Sequence, residues 1–369
     1  MRRQLSILGI RGIPAGHGGF ETFAEKLSLY LVSKEWDVVV YCQEEGEGAV
    51  TESAWNGIRL VHIPVKQTGA LGTIVFDWRA TCLALKSTGL FLTLGYNTAL
   101  FNVLQRLKGQ VNVINMDGIE WKRKKWGRIA KTWFWINERI GCLTGNYLVA
   151  DHPRIRAHLA TRVSAAKISM IPYGAEQVLD ADASALEAFS LAPQAFSVVI
   201  ARPEPENSFL EIVRAFSLRP RQHTLVVLGK FDVDRNAYHR AIVAAASNEV
   251  IFPGAIYDSR KINALRFYSR FYIHGHQVGG TNPSLVEALG AGCAVIAHDN
   301  PFNQWVAGAA ARYFADERQC AQLFDQILTD DSILQPMKTC SQERFEQQFT
   351  WPRIFSEYEA LLTKAYENV

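Results

Sequence analysis

The residue types best placed to do chemistry fall in one run, Gly275-His-Gln-Val-Gly-Gly-Thr-Asn-Pro-Ser-Leu-Val-Glu287-Ala-Leu-Gly-Ala-Gly292. An apolar segment at 271–274 reads as a strand ending in this glycine-rich loop, and helical sequence begins near Pro283 or Ser284. The first amides of a helix lack intrahelical partners. The N–H groups of Thr281, Asn282, Ser284 and Leu285 can therefore turn toward an anion such as a phosphate. Pro283 is tolerated in the first turn, because its missing N–H has no helical role. Glu287 lies about one turn further in, where a carboxylate could accept two hydrogen bonds from a ribose diol. The competing reading is a plain loop with an Asn or Ser N-cap and a solvated glutamate. A second feature is Val199-Ile-Ala-Arg202-Pro-Glu-Pro-Glu-Asn207. Arg202, just beyond an apolar strand, offers a planar fork to a diphosphate. Otherwise it is a surface arginine in a proline-rich turn.

Near the start, Gly9–Leu27 reads GIRGIPAGHGGFETFAEKL, with glycines at 9, 12, 16, 18 and 19 ahead of helical sequence. The spacing fits neither a GxGxxG dinucleotide loop nor a GK[ST] phosphate loop. Asn115-Met-Asp117-Gly-Ile-Glu120-Trp121 puts a carboxylate at a strand end, where a base or acceptor is useful, with Glu120 as its competitor. An Asp-Gly turn is the simpler account of Asp117. The run from Trp121 to Trp135, WKRKKWGRIAKTWFW, holds no acidic residue. Its cations and aromatics suit single-stranded nucleic acid. They equally suit a membrane interface, where tryptophan favours the headgroup zone and lysine attracts anionic lipid. A helix with buried tryptophans and solvated lysines accounts for part of the run. No His/Asp cluster has metal-ligand spacing.

These groups need a scaffold. The chain has 369 residues, 48% hydrophobic and 20% charged, an ordinary folded composition with room for two domains. A net charge of +3 gives no whole-molecule pull on nucleic acid, so local clusters decide partners. Six cysteines stand far apart with no CxxC pair; free, mostly buried thiols in a reducing cytoplasm are expected. The apolar run at the N-terminus is broken by Arg11 and is too short for a signal sequence. No run approaches the ~18 apolar residues of a spanning helix. Short β-branched runs alternate with helical patterns, which predicts α/β architecture with parallel sheets. Strands are expected at 5–10, 37–42, 59–63, 90–94, 111–115, 147–150 and 168–171, and a helix at 20–33. A polar stretch at 177–188 reads as a connection. Strands follow at 196–201, 224–228, 249–252, 271–274 and 294–298. The pattern predicts two doubly wound domains facing a central cleft, 1–174 and 175–350, with ligands beyond the carboxyl ends of the strands. The C-terminal segment 351–369, amphipathic over most of its length, is expected to cross back to the first domain.

Taken together, GIRGIPAGHGGFETFAEKL, NMDGIEWKRKKWG, RPEPEN and HGHQVGGTNPSLVEALGAG resemble family 4 retaining glycosyltransferases of the GT-B fold. More narrowly they resemble a bacterial subgroup that includes rhamnosyltransferases of surface-polysaccharide assembly. The resemblance spans nearly the whole chain. It implies two Rossmann-like domains and a metal-independent hexosyltransferase without a cofactor. The donor would be a nucleotide sugar, in the first instance dTDP-L-rhamnose. The acceptor would be a lipid-diphosphate-linked saccharide at the inner face of the membrane, with the protein cytoplasmic and peripheral. The second domain would bind the donor through Arg202, Gly279, Gly280, Thr281, Asn282, Ser284, Leu285 and Glu287, with Arg202 also stabilising the leaving diphosphate. Gly18 and Gly19 would let backbone amides approach that diphosphate, and the helix after them would add its positive end. His17, Asp117 and Glu120 would bind the acceptor, Asp117 as base or binder. Trp121, Lys122, Arg123, Lys124, Lys125 and Trp126 would then contact membrane rather than nucleic acid. The chain departs from the wider family at two points. Gly279 stands where a sugar-contacting glutamate is usual. A lysine usual near Asn207 is missing, and Lys230 is the candidate replacement. These departures raise an alternative: a nucleotide-sugar or nucleic-acid binding protein without transferase activity.

Overall fold

The computed structural model describes residues 3–16 and 18–369 and divides the chain into two compact units, Met1–Pro172 with Pro352–Val369, and Tyr173–Trp351. The first unit is built on an eight-stranded sheet. Its strands are β1 (Gln4–Leu8), β2 (Asp37–Glu45), β3 (Thr51–Trp55), β4 (Ile58–Val65), β5 (Leu90–Leu94), β6 (Asn112–Asn115), β7 (Tyr147–Ala150) and β8 (Ile168–Met170). Their order is β3-β4-β2-β1-β5-β6-β7-β8, and every neighbouring pair is parallel except β3 with β4. Val38, Val39 and Val40 are buried on both faces of β2, as an interior parallel strand requires. The antiparallel β3 lies outside the expected set. Its sequence TESAW is polar and largely exposed. Its pairing comes from the tight turn Asn56-Gly57, with φ 48 and 81, a hairpin geometry that asparagine and glycine supply.

The helix Trp351–Tyr366 belongs to the first unit from Pro352 onward. Ile354, Tyr358, Leu361, Leu362 and Ala365 form its buried stripe. The Tyr358 ring sits 4.7 Å from that of Phe23, and its hydroxyl accepts a hydrogen bond from Asn115 Nδ2 at 2.8 Å. That bond ties the helix to the end of β6.

The second unit holds a six-stranded sheet of β9 (Phe196–Ile200), β10 (Thr224–Leu228), β11 (Val250–Gly254), β12 (Tyr272–His274), β13 (Val295–His298) and β14 (Ala311–Phe314). The order is β11-β10-β9-β12-β13-β14, parallel throughout. Alternate residues feed opposite faces: Val198 and Tyr272 join the core with Leu285 and Leu289, while Val199 and Phe271 join the one with Phe216 and Phe324. The stretch 177–188 is part of this unit rather than a connection. It leads into the short helix Ala183–Phe189, whose Ala185 and Leu186 are buried in the core. Strand order reverses between β1 and β5 in the first sheet and between β9 and β12 in the second. Open α/β sheets bind ligands at such switch points.

Candidate functional site

In the second unit the loops on both sides of the switch point carry the expected chemistry. Arg202 is exposed just beyond β9, and the glycine-rich loop follows β12. The proline-rich turn after Arg202 is the mount for that loop. Asn207 Nδ2 donates to the Arg202 carbonyl at 2.8 Å, so its Oδ1 is turned to accept from His276 Nδ1 at 2.5 Å. Ser208 Oγ donates to the Gly275 carbonyl at 2.8 Å and accepts from Gln277 Nε2 at 2.9 Å. The Gln277 N–H donates to the Glu206 carbonyl at 2.9 Å. Gly275 lies so close that a Cβ would meet the Asn207 carbonyl oxygen at 2.1 Å. Asn207, near the place of the missing lysine, is buried and presents no charge. Lys230 is exposed just beyond β10. A Cβ on the preceding Gly229 would come within 2.8 Å of the Ala201 carbonyl. Because β9 and β10 are adjacent and parallel, Lys230 and Arg202 leave the sheet at the same rim.

The helix Pro283–Gly290 opens there too, after Gly279, Gly280 and the buried Thr281. Asn282 is its N-cap. The Asn282 Oδ1 accepts the Ser284 N–H at 3.0 Å, and its carbonyl accepts the Leu285 N–H at 3.1 Å. Two of the amides expected to face an anion are thus spent inside the cap. The Ser284 hydroxyl is also committed. It donates to the Ile200 carbonyl at 3.0 Å and lies 2.8 Å from the Tyr272 hydroxyl, stitching the helix start to β9 and β12. Glu287 is 38% exposed, and its Oε2 is ion-paired with Arg266, whose side chain is only 6% exposed. Arg266 also reaches Ser284 Oγ at 3.4 Å. It was not singled out in the sequence. The available signal was its position one helical turn after Ile262, beside Ala264 and Leu265 on the buried side of the helix Ser259–Phe267. His274, at the end of β12, is another unmarked residue. Burial, then the neighbouring His276 and His298, hold its imidazole well below the usual range and hence neutral.

In the first unit the loop after β1 is tied to the helix Gly19–Ser33. The Glu21 Oε1 accepts the Arg11 N–H at 3.3 Å, and the Glu25 Oε2 accepts the Ala15 N–H at 2.6 Å. Gly18, with φ 107, needs its glycine: a Cβ would meet Glu21 Oε2 at 2.2 Å. Gly19 is the first helical residue, and His17 lies outside the described residues. A cavity of about 470 Å³ opens beside the loop, between Arg11, Glu21, Glu44 and His62. Within its wall His62 Nδ1 lies 2.7 Å from Glu44 Oε1.

Asp117 stands just past β6 in the left-handed region, φ 50, its N–H donating to Asn115 Oδ1 at 3.0 Å. Burial, then the Glu120 carboxylate, push its carboxyl up to about 6. Glu120 is itself buried and occupied, accepting from Arg123 at 2.8 Å and from Trp126 Nε1 at 3.0 Å. Glu120 therefore organises the following turn. Trp121 Nε1 donates to the buried Glu138 at 2.7 Å, and Glu138 also takes His158 at 3.0 Å and Arg162 at 2.9 Å. Burial pushes Glu138 up, but the bonds from His158, Trp121 and Arg162 outweigh it and leave the carboxyl below the usual range. Both tryptophans are half-buried and bonded inward, while Lys122, Lys124 and Lys125 are exposed. Exposed apolar side chains close to this run in sequence are on the next helix, Arg128–Thr144, with Ile129 89% and Leu143 69% exposed, joined by Trp135 and Ile136. Among the described residues no helix is long and apolar enough to cross a membrane, and no group of three or more His, Cys, Asp or Glu could hold a metal ion.

Residues 2–176 match the model of a domain of unknown function, DUF1972. No curated protein matches the chain. Among solved structures, the chain is similar to a sucrose-phosphate synthase from Thermosynechococcus elongatus, at TM-score 0.83 and 18% identity over 100% of both chains. It is also similar to HepE of Anabaena in complex with UDP and glucose, at TM-score 0.75 and 14% identity, over 98% of this chain and 100% of that one. A UDP-forming α,α-trehalose-phosphate synthase from Burkholderia xenovorans matches at TM-score 0.74 and 11% identity over 99% of both chains. With two parallel-sheet Rossmann-like units and these neighbours, the chain has the GT-B fold.

Proposed function

We propose that the chain is a retaining, metal-independent glycosyltransferase. It moves a hexose, L-rhamnose from dTDP-rhamnose as the best reading, to a lipid-diphosphate-linked saccharide in bacterial surface-polysaccharide assembly. The observation that carries the reading is the convergence of Arg202, the glycine-rich loop and Glu287 around one switch point, with Lys230 on the same rim. Those groups suit a nucleoside diphosphate: cations for the phosphates, a carboxylate for the nucleoside sugar. The similar HepE structure that holds UDP supports a nucleotide as ligand.

The second unit takes the donor and the first the acceptor. Catalysis is chiefly electrostatic, with fixed cations and dipoles stabilising the departing diphosphate. Asp117 orients the acceptor hydroxyl, whose proton goes to that carboxylate or to the departing diphosphate. The exposed Lys122, Lys124 and Lys125, with Ile129, Trp135, Ile136 and Leu143, support a peripheral position on the cytoplasmic face of a membrane. The test is turnover of labelled dTDP-rhamnose with a membrane extract. Label moving into the lipid fraction is the expected result. Tight donor binding without transfer to any acceptor would instead make the chain a nucleotide-sugar binding protein, the reading that Gly279 favours.

A further inference from the structure

We propose that Arg266 makes Glu287 a one-oxygen reader of the nucleoside, so that the site takes a 2′-deoxyribonucleoside diphosphate as readily as a ribonucleotide. The inference rests on the reading of Glu287 as the nucleoside contact and deepens it by assigning the residue that sets the site's tolerance at the 2′ position.

A carboxylate that reads a vicinal diol uses both oxygens, one for each hydroxyl. A 2′-deoxyribose keeps only the 3′-hydroxyl. In this chain the two oxygens of Glu287 are not equivalent. Oε2 is ion-paired with Arg266, and Oε1 accepts no hydrogen bond among the described residues. Arg266 has nowhere else to turn. Its side chain is buried, its Nε finds no partner, and Glu287 is the only acid paired with it among the described residues. Its remaining side-chain contact, Ser284 Oγ at 3.4 Å, is itself held by the Ile200 carbonyl and the Tyr272 hydroxyl. The Arg266 carbonyl is fixed from behind by Ser269 Oγ at 2.8 Å and Cys293 Sγ at 3.2 Å. A guanidinium keeps its charge at neutral pH, and a buried cation stripped of its carboxylate is strongly unfavourable. Oε2 therefore stays with Arg266, and Oε1 is the oxygen left without a partner among the described residues. It serves the 3′-hydroxyl that both nucleotide classes share. For the 2′-hydroxyl there remains only Oε2, a weaker acceptor because its charge is already shared with the guanidinium.

Thymidine diphosphate and 5-methyluridine diphosphate differ only at the 2′-hydroxyl, and calorimetric titration of the full chain with each tests the proposal. Wild-type affinities are expected within about threefold of each other. Glu287→Gln should weaken both. Arg266→Met frees Oε2, and the ribonucleotide should then gain roughly tenfold over the deoxynucleotide, the worth of one charge-assisted hydrogen bond. Arg266→Lys, which keeps a cation, should restore near-parity. A melting curve without ligand shows that each variant is folded; the wild-type comparison stands even where a variant is not. A wild-type preference of tenfold or more for the ribonucleotide overturns the proposal, as does parity in a folded Arg266→Met. If neither nucleotide binds, or Glu287→Gln leaves both affinities unchanged, the failure lies in the nucleoside role of Glu287, and the proposal falls with it.

Discussion

Asp117→Asn removes a carboxylate that the fold holds at a cost. Burial and the Glu120 charge raise the Asp117 carboxyl from 3.8 to about 6. At about 1.4 kcal/mol for each pH unit, the ionised form costs the fold about 3 kcal/mol at neutral pH. The sign follows from linkage. A carboxyl whose folded pKa is raised contributes stability below about pH 3.8 and loses it as pH rises through about 6. Asparagine has nearly the same shape, tolerates the same left-handed backbone (φ 50) and does not ionise. Urea unfolding at pH 3.5, 4.5 and 7.5 should show the variant ahead of wild type by about 2–3 kcal/mol at pH 7.5, by about 1 kcal/mol at pH 4.5, and nearly level at pH 3.5. In the same pH series, the wild-type transfer rate should fall below about pH 6 as Asp117 takes up its proton. The variant should be slower and lack that limb. Equal stability at every pH, or a variant less stable at pH 7.5, would refute the argument from burial.

Other outcomes follow from the mount beneath the glycine-rich loop and from the outer surface of the first unit. Gly275→Ala forces a methyl to within 2.1 Å of the Asn207 carbonyl oxygen. It should cost about 1–3 kcal/mol, seen as a lower melting temperature together with weaker nucleotide binding. Asn207→Ala removes the bonds to the Arg202 carbonyl and His276 and should cost about 1–2 kcal/mol without changing any charge, read by urea unfolding. Replacing Lys122, Lys124 and Lys125 by Gln, while sparing the Arg123–Glu120 pair, should reduce sedimentation with anionic vesicles in a salt-dependent way. Ile129→Ser with Leu143→Ser should weaken binding to neutral and anionic vesicles alike. Vesicle binding unchanged by either set would remove this surface as the membrane contact.

The architecture was legible because buried parallel strands announce themselves. Runs such as Val38–Tyr41 and Leu225–Leu228 are apolar on both faces and bounded by loops; the second strand matches its expected bounds, and the first runs three residues further, to Glu45. β3 escaped because an exposed edge strand carries no apolar signal; the Asn56-Gly57 pair was the cue that could have found it. The stretch 177–188 read as a connection because its surface is polar, yet Ala185 and Leu186, just beyond Asp182, anchor it to the core. At the site, residue types showed where anions and hydroxyls could be met. They could not show which groups were already spoken for. Asn282 satisfies the Ser284 and Leu285 amides, Glu120 holds Arg123 and Trp126, and Arg266 takes half of Glu287. Such pairings depend on side chains far apart in sequence or on local cap geometry, and composition carries neither. The Trp121–Trp126 run shows the same limit: its aromatic rings turn inward to acids, and the exposed apolar groups come from the helix beyond it.

The central claim is that Arg202 and the loop after β12 form a nucleoside diphosphate site. It is tested most directly by titrating wild type and Arg202→Ala with thymidine diphosphate and thymidine monophosphate. The account predicts one saturable site that prefers the diphosphate, with that preference and at least tenfold of affinity lost in the variant. Undiminished diphosphate affinity in a folded Arg202→Ala would contradict it.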